Sequence, residues 1–145
     1  MSDYVNNQVH LIGDFRREEA YAAATIKPGM LVEETSAGTF QAHSVSGGYA
    51  VLLVAEIDAL QGGVLGDSYT VGKLVSANVE LPGNEVQMFL KKNENVAIGA
   101  KLMSGGDGTL VAVSGTEKQA IAVAREAKDL TDSLDVDTLI RVMLL

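Results

Sequence analysis

The sequence predicts an all-β protein, a compact β-sandwich or barrel with an internal repeat and an extended N-terminal arm. Three observations predict it. From Ile26 onward, short apolar or alternating runs are cut by glycine, roughly every ten residues, which is the spacing of strands joined by tight turns. The stretch GMLVEETSAGTF at 29–40 is written again as GAKLMSGGDGTL at 99–110, each opening on glycine and closing on Gly-Thr-apolar at the same offset. Downstream, VLLVAEIDAL at 51–60 is echoed by AIAVAREAKDL at 120–130, and both copies end on an alternating apolar stretch, at 74–81 and 138–145.

Taken in order, residues 1–25 stand apart. They begin polar and amide-rich, then read GDFRREEAYAAAT, with no two-residue alternation and no legible core face. This segment is expected to be an arm; residues 18–24 have room for one or two helical turns, but an isolated helix that short is marginal in water. The β-domain is then residues 26–145. Strands are expected at 30–34, 40–44, 49–56, 74–81, 85–91, 101–104, 109–113, 120–127 and 138–145. That is more than a flat sheet usually holds, so the sheet must close or split. Ala37-Gly38, Gly47-Gly48, Gly62-Gly63, Pro82-Gly83 and the run Gly105-Gly106-Asp107-Gly108 supply turn residues between these runs, where hairpins need positive φ. The segments 57–62 and 126–134 have room for a helical turn but lack the periodicity that would assign one. No Pro- or Ser-rich linker divides the copies, so they are expected to be two halves of one structure.

At 145 residues the chain is long enough for one domain or two half-domains sharing a core. Hydrophobic residues make up 47% and aromatics only 5%, so the core is built from small aliphatic side chains. The absence of cysteine removes disulfides and thiolate metal sites. A net charge of -8 repels a polyphosphate backbone, which argues against direct nucleic-acid binding. The longest apolar runs, at 49–55 and 142–145, are too short to cross a bilayer, and MSDYVNNQ lacks the build of a signal peptide. A soluble protein made in a cytosol is expected, with no membrane partner.

The reactive side chains form no catalytic pattern. His10 and His43 lack the HxH or HExxH spacing of a metal site, and a structural or solvent-facing role is expected for both. Glu33-Glu34 and the set Asp129, Asp132, Asp135 and Asp137 offer carboxylates for a paired-acid mechanism. The Asp set lies in KDLTDSLDVD, where a solvated loop or helix cap is the ordinary reading, and the EF-hand spacing is absent. GGDG at 105–108 lacks the Lys-Ser/Thr of a phosphate loop and reads as a hairpin turn. No serine sits in a GxSxG elbow, and no hairpin tip carries the lysine of a biotinyl or lipoyl carrier. No catalytic, cofactor-binding or metal-binding residue is therefore assigned. The alternative is a small β-barrel enzyme or ligand-binding module using the acidic loops around Asp129 and Asp137.

The order of short motifs resembles the tailed-phage capsid cement, or head decoration, proteins. Pro28, Gly29, Leu31 and Val32 match the family's opening, Ala55 and Glu56 its Ala-Glu after a strand, and Tyr69, Gly72 and Val75 its Tyr-x-x-Gly-x-x-Val segment. Pro82, Gly83, Val86 and Leu90 match the next strand, Gly99, Leu102, Ser104, Asp107, Gly108 and Leu110 the glycine turn, and Arg141 and Val142 the closing strand. The resemblance spans residues 26–145 and rests on the order of these elements. It implies a β-tulip-like, non-enzymatic protein without cofactors on the outer surface of an assembled capsid in the virion. Its partners would be the major capsid protein and further copies of itself, often as a trimer. In that frame the arm grips the capsid.

Overall fold

The computed structural model describes residues 8–145. It is all-β, and among the described residues the only helical piece is a three-residue 3-10 turn, Ala59–Gln61. The first strands are β1 His10–Ile12, β2 Phe15–Tyr21, β3 Val32–Glu34, β4 Phe40–Ala42, β5 Leu53–Ala55 and β6 Leu74–Glu80. They are followed by β7 Glu85–Leu90, β8 Asn95–Val96, β9 Lys101–Ser104, β10 Leu110–Ala112, β11 Ala122–Ala124, β12 Lys128–Asp129 and β13 Thr138–Leu144. Each of the nine expected strand positions holds a strand.

The second half closes into a five-stranded barrel, β7–β10–β9–β11–β13 and back to β7. The long seam is antiparallel, from Leu90 opposite Thr138 to Glu85 opposite Met143. The ring closes through a parallel pairing of Leu110 with Leu90. Alternation places Val86, Met88 and Leu90 of β7, and Ile140, Val142 and Leu144 of β13, in the interior. These are small and medium aliphatic side chains, as the composition requires.

The first half draws the same ring with shorter contacts. β2 pairs with β6 and β6 with β5. An antiparallel bridge from Val54 to Leu31 leads to the β3–β4 hairpin, and a parallel bridge from Phe40 to Ala22 returns to β2. Strand for strand, β2, β3, β4, β5 and β6 answer β7, β9, β10, β11 and β13. The repeat is thus a five-stranded unit that begins before the repeated GMLVEETSAGTF. Its first strand escapes detection because FRREEAY shares no pattern with EVQMFL.

Two apolar cores result, with a common wall. Val32, Leu53 and Ala55 face the first core with Phe40 and Val75. Leu31 and Val54, their immediate neighbours, face the second. Adjacent residues of an extended chain point to opposite sides, so one stretch of backbone serves both barrels.

The marginal helical turn over 18–24 does not form. Phe15–Tyr21 is a seven-residue strand, because pairing with β6 satisfies its amides more fully than an isolated turn would. Residues 8–25 lie against the body, with β1 antiparallel to β7 and with Val9 and Ala22 buried. Residues 1–7 of the expected arm lie outside the described residues. The segment 57–62 carries the 3-10 turn, whereas 126–134 holds β12 and a turn.

Candidate assembly surface

The main polar feature is a buried carboxylate. β5 ends at Ala55, so the next side chain, Glu56, enters the space between β1 and β6 and is only 5% exposed. Its Oε1 accepts the Val9 and Ile57 amides at 2.8 and 2.9 Å. Its Oε2 accepts the His10 amide at 2.9 Å and the Asn78 side-chain amide at 3.1 Å. Glu80 continues the network, its Oε1 accepting from His10 Nδ1 at 2.7 Å and Asn84 Nδ2 at 2.9 Å. Asn84 Nδ2 also donates to the Asp14 carbonyl at 2.8 Å, beside Gly13, where a Cβ would collide with the Asn84 side chain. These bonds fasten the N-terminal strand to both barrels. A charged group is tolerated there because four donors replace its water. Among the described residues, Glu80 Oε2, Asn78 Oδ1 and Ser76 Oγ have no hydrogen-bond partner.

The second feature is an open groove in the first barrel. Taking Ala22 as the counterpart of Leu90, Ala20 stands where the second barrel has Met88, and Glu18 where it has Val86. Smaller and charged side chains leave the first barrel unfilled at that place. A groove of about 510 Å³ opens there, lined among others by Ala20, Phe40, Val45, Tyr49 and Val51. Tyr49 is 80% exposed, and Val45 and Val51 are also exposed. A second cleft of about 760 Å³ lies on the other face of β2, lined by Arg17, Glu19, Asp58, Tyr69 and Lys73. The Tyr69 hydroxyl donates to the Glu56 carbonyl at 2.7 Å, and burial raises its pKa to about 12.

The residues weighed for chemistry are spent on structure. His43, 4% exposed, joins three segments. Its Nε2 donates to the Tyr49 carbonyl at 2.9 Å, which leaves Nδ1 to accept from the Ser104 hydroxyl at 2.6 Å. His10 is held by Glu80 and lies 4.3 Å from the Phe15 ring, centroid to centroid. Glu33 accepts the Ser44 amide at 2.7 Å and the Gln41 side-chain amide at 2.9 Å. Burial would raise its pKa, but these bonds outweigh burial and lower it. Three of the four aspartates act as local caps, and Asp137 reaches a loop 45 residues away. Asp129 accepts from the Thr131 amide and hydroxyl, which lowers its pKa, Asp132 accepts the Leu134 amide, Asp135 the Asp132 amide and Asp137 the Lys92 amide. Among the described residues no group of three or more His, Asp or Glu side chains is placed to hold a metal ion.

The GGDG segment is the hairpin turn between β9 and β10, closed by the Gly105 amide on the Thr109 carbonyl at 2.8 Å. Asp107 caps Thr109 and pairs with Lys91 at 3.1 Å, tying the hairpin tip to the end of β7. Of the motif residues, Arg141 lies on the outer face of β13, 3.4 Å from Glu85. No signal in the sequence marks the groove, because it exists only where β2 meets a hairpin distant in the chain. No helix among the described residues is long and apolar enough to cross a membrane.

No family model matches the chain, and no curated protein matches it. Among solved structures it is similar to the head fiber gp8.5 N base of bacteriophage phi29, at 13% sequence identity and a TM-score of 0.60. The likeness covers 91% of this chain and 95% of that one. At this identity it is a likeness of fold, here of both barrels together.

Proposed function

We propose that the chain is a phage head-associated structural protein, a capsid cement that binds the outer surface of the assembled shell and bridges its subunits. The observation that carries this reading is the end-to-end fold likeness to a phage head fiber base. The order of glycine turns and strands, which resembles the cement family, supports it independently. So does the use of His43, Glu33 and the four aspartates as structural groups, because a scaffold needs rigid barrels and no reactive centre. The protein acts without catalysis or cofactor, sits in the virion, and has the major capsid protein and further copies of itself as partners, with a trimer implied by the resemblance. Of its N-terminal segment, residues 1–25, the strands β1 and β2 pack against the body, and the part that precedes β1 is the gripping element.

Co-sedimentation with expanded capsids that lack the protein tests the reading. The full chain is expected to pellet with the shells and to raise their resistance to heat. A chain that stays in the supernatant overturns the proposal. Deleting residues 2–8 leaves every strand of both barrels in place. If that shortened chain decorates shells as well as the full one, the gripping role assigned to the segment is wrong.

A further inference from the structure

The internal repeat exposes a difference between its two halves. In the second barrel the outer edge of β7 is covered: β1 pairs along it, and the Gln87 amide donates to the Val9 carbonyl at 2.8 Å. The answering edge belongs to β2. Ala22 exchanges its backbone bonds with Lys73 and Gly72 on the β6 side, and the Ala23 amide turns the other way, to Phe40, as the Lys91 amide turns to Leu110. Backbone groups alternate sides along a strand, so Phe15, Arg17, Glu19 and Tyr21 present theirs away from β6. Among the described residues no strand pairs with that edge. Glu19 therefore stands in the place of Gln87, with no described residue in the place of Val9. Across the groove from it lie the exposed Val45, Tyr49 and Val51.

We infer that this edge takes β2 of a second copy of the chain, antiparallel, about a twofold axis through Glu18. The sequence FRREEAY is complementary to itself in that register. Arg17 meets the partner's Glu19 and Glu19 the partner's Arg17, both as hydrogen-bonded pairs, and at each end Phe15 meets the partner's Tyr21. The two Glu18 side chains face each other on the axis, each already held by its own Arg16 at 3.0 Å. Of the neighbouring registers that keep the same outward groups paired, one places Glu19 against Glu19 with no opposite-charge pair, and the other places Arg17 against Arg17 beside two Arg16–Glu18 pairs. The register about Glu18 is favoured because its one like pair is already offset by Arg16 and because it also sets Phe15 against Tyr21. Pairing joins the two three-stranded β5–β6–β2 sheets into one of six strands, removes an open edge that otherwise invites uncontrolled association, and covers the apolar wall of the groove. The contact is isologous and closes at two copies. It goes beyond the capsid reading, and its symmetry differs from the threefold that the resemblance implies.

Analytical ultracentrifugation of the full chain over a range of concentrations, with circular dichroism to verify folding, tests it. The wild-type particle is expected to have twice the mass of Arg17→Glu and of Glu19→Arg, each of which weakens association by about tenfold or more. The double exchange Arg17→Glu/Glu19→Arg restores attraction in both pairs and with it the doubled mass. Glu19→Pro, which removes one outward amide while leaving the bonds to β6, is expected to match the single exchanges. If wild type and the single exchanges have equal mass, or if the folded double exchange does not recover, the inference is overturned. Capsid co-sedimentation of the same variants separates the readings, since pairing can fail while decoration persists, and the reverse.

Discussion

Glu56 accepts the Val9 amide at 2.8 Å across 47 residues of chain. The same carboxylate holds the His10 and Ile57 amides and the Asn78 side chain. Glu56→Ala strands four donors in a buried site, and stability is expected to fall by roughly 3 kcal/mol or more. Urea unfolding checks the magnitude. Hydrogen exchange checks the location, because residues 9–12 should lose protection before the barrels do. A loss below about 1 kcal/mol with unchanged exchange at those amides would refute the staple.

Gly38 and Gly108 hold the same left-handed backbone in the two hairpins, at φ 79° and 83°. A Cβ at Gly38 meets open space, whereas at Gly108 it would lie 2.6 Å from Met30 Cε and 3.1 Å from Ala42 Cβ. Gly38→Ala is expected to cost about 1 kcal/mol of backbone strain. Gly108→Ala adds overpacking and costs at least about 1 kcal/mol more. Equal losses in denaturant titrations would count against the packing assigned to the second hairpin.

Tyr69 ionises only near pH 12, chiefly because burial disfavours its phenolate. A folded pKa above the unfolded value of 10.0 makes this contribution to stability fully present below pH 10 and lost as the pH climbs through 12. Ultraviolet titration should show a tyrosinate step near pH 12 that Tyr69→Phe abolishes. Alkaline unfolding of wild type should accompany that step.

Asp107 and Glu33 run the opposite way. Burial alone would raise both, but Thr109 and Lys91 around Asp107, and Gln41 and Ser44 around Glu33, lower their pKa values below 3.8 and 4.5. Depressed folded values place their contribution above those unfolded values, and it disappears as the pH falls below them. Asp107→Asn and Glu33→Gln should each flatten the acid limb of a stability-against-pH curve and leave the neutral-to-alkaline limb unchanged in shape. An unaltered acid limb would refute the roles given to these caps.

Much of the fold was legible because its rules are local. Gly29 and Gly99, with φ of 98° and 90°, mark the repeat because only glycine takes that backbone without strain. Val86, Met88 and Leu90 announce a strand by alternation alone. β2 gave no such signal, since one face of it borders a half-open groove and the other solvent, so charge is tolerated along nearly its whole length. β1, β8 and β12 are two or three residues long, too short for any period to show. The hairpin reading of GGDG and the local reading of Asp129, Asp132 and Asp135 agree with the structure because their hydrogen bonds span only a few residues, whereas Asp137 holds the Lys92 amide 45 residues away. The Glu56 staple was visible only as a strand end followed by a carboxylate.

From residues alone came the all-β class, the positions of the turns and the existence of two related halves. These depend on φ preferences and on side-chain alternation, which act within a few neighbours. Tertiary structure alone decided that the halves are two barrels with a common wall, that β2 opens the first of them, and that one of the β2 edges is left without a described partner. Such features depend on which distant faces meet and in what register. That choice is made by burial and by pairing over the length of the chain, from Phe15 to Glu80 and from Glu85 to Met143, and no short window of sequence contains both sides of those contacts.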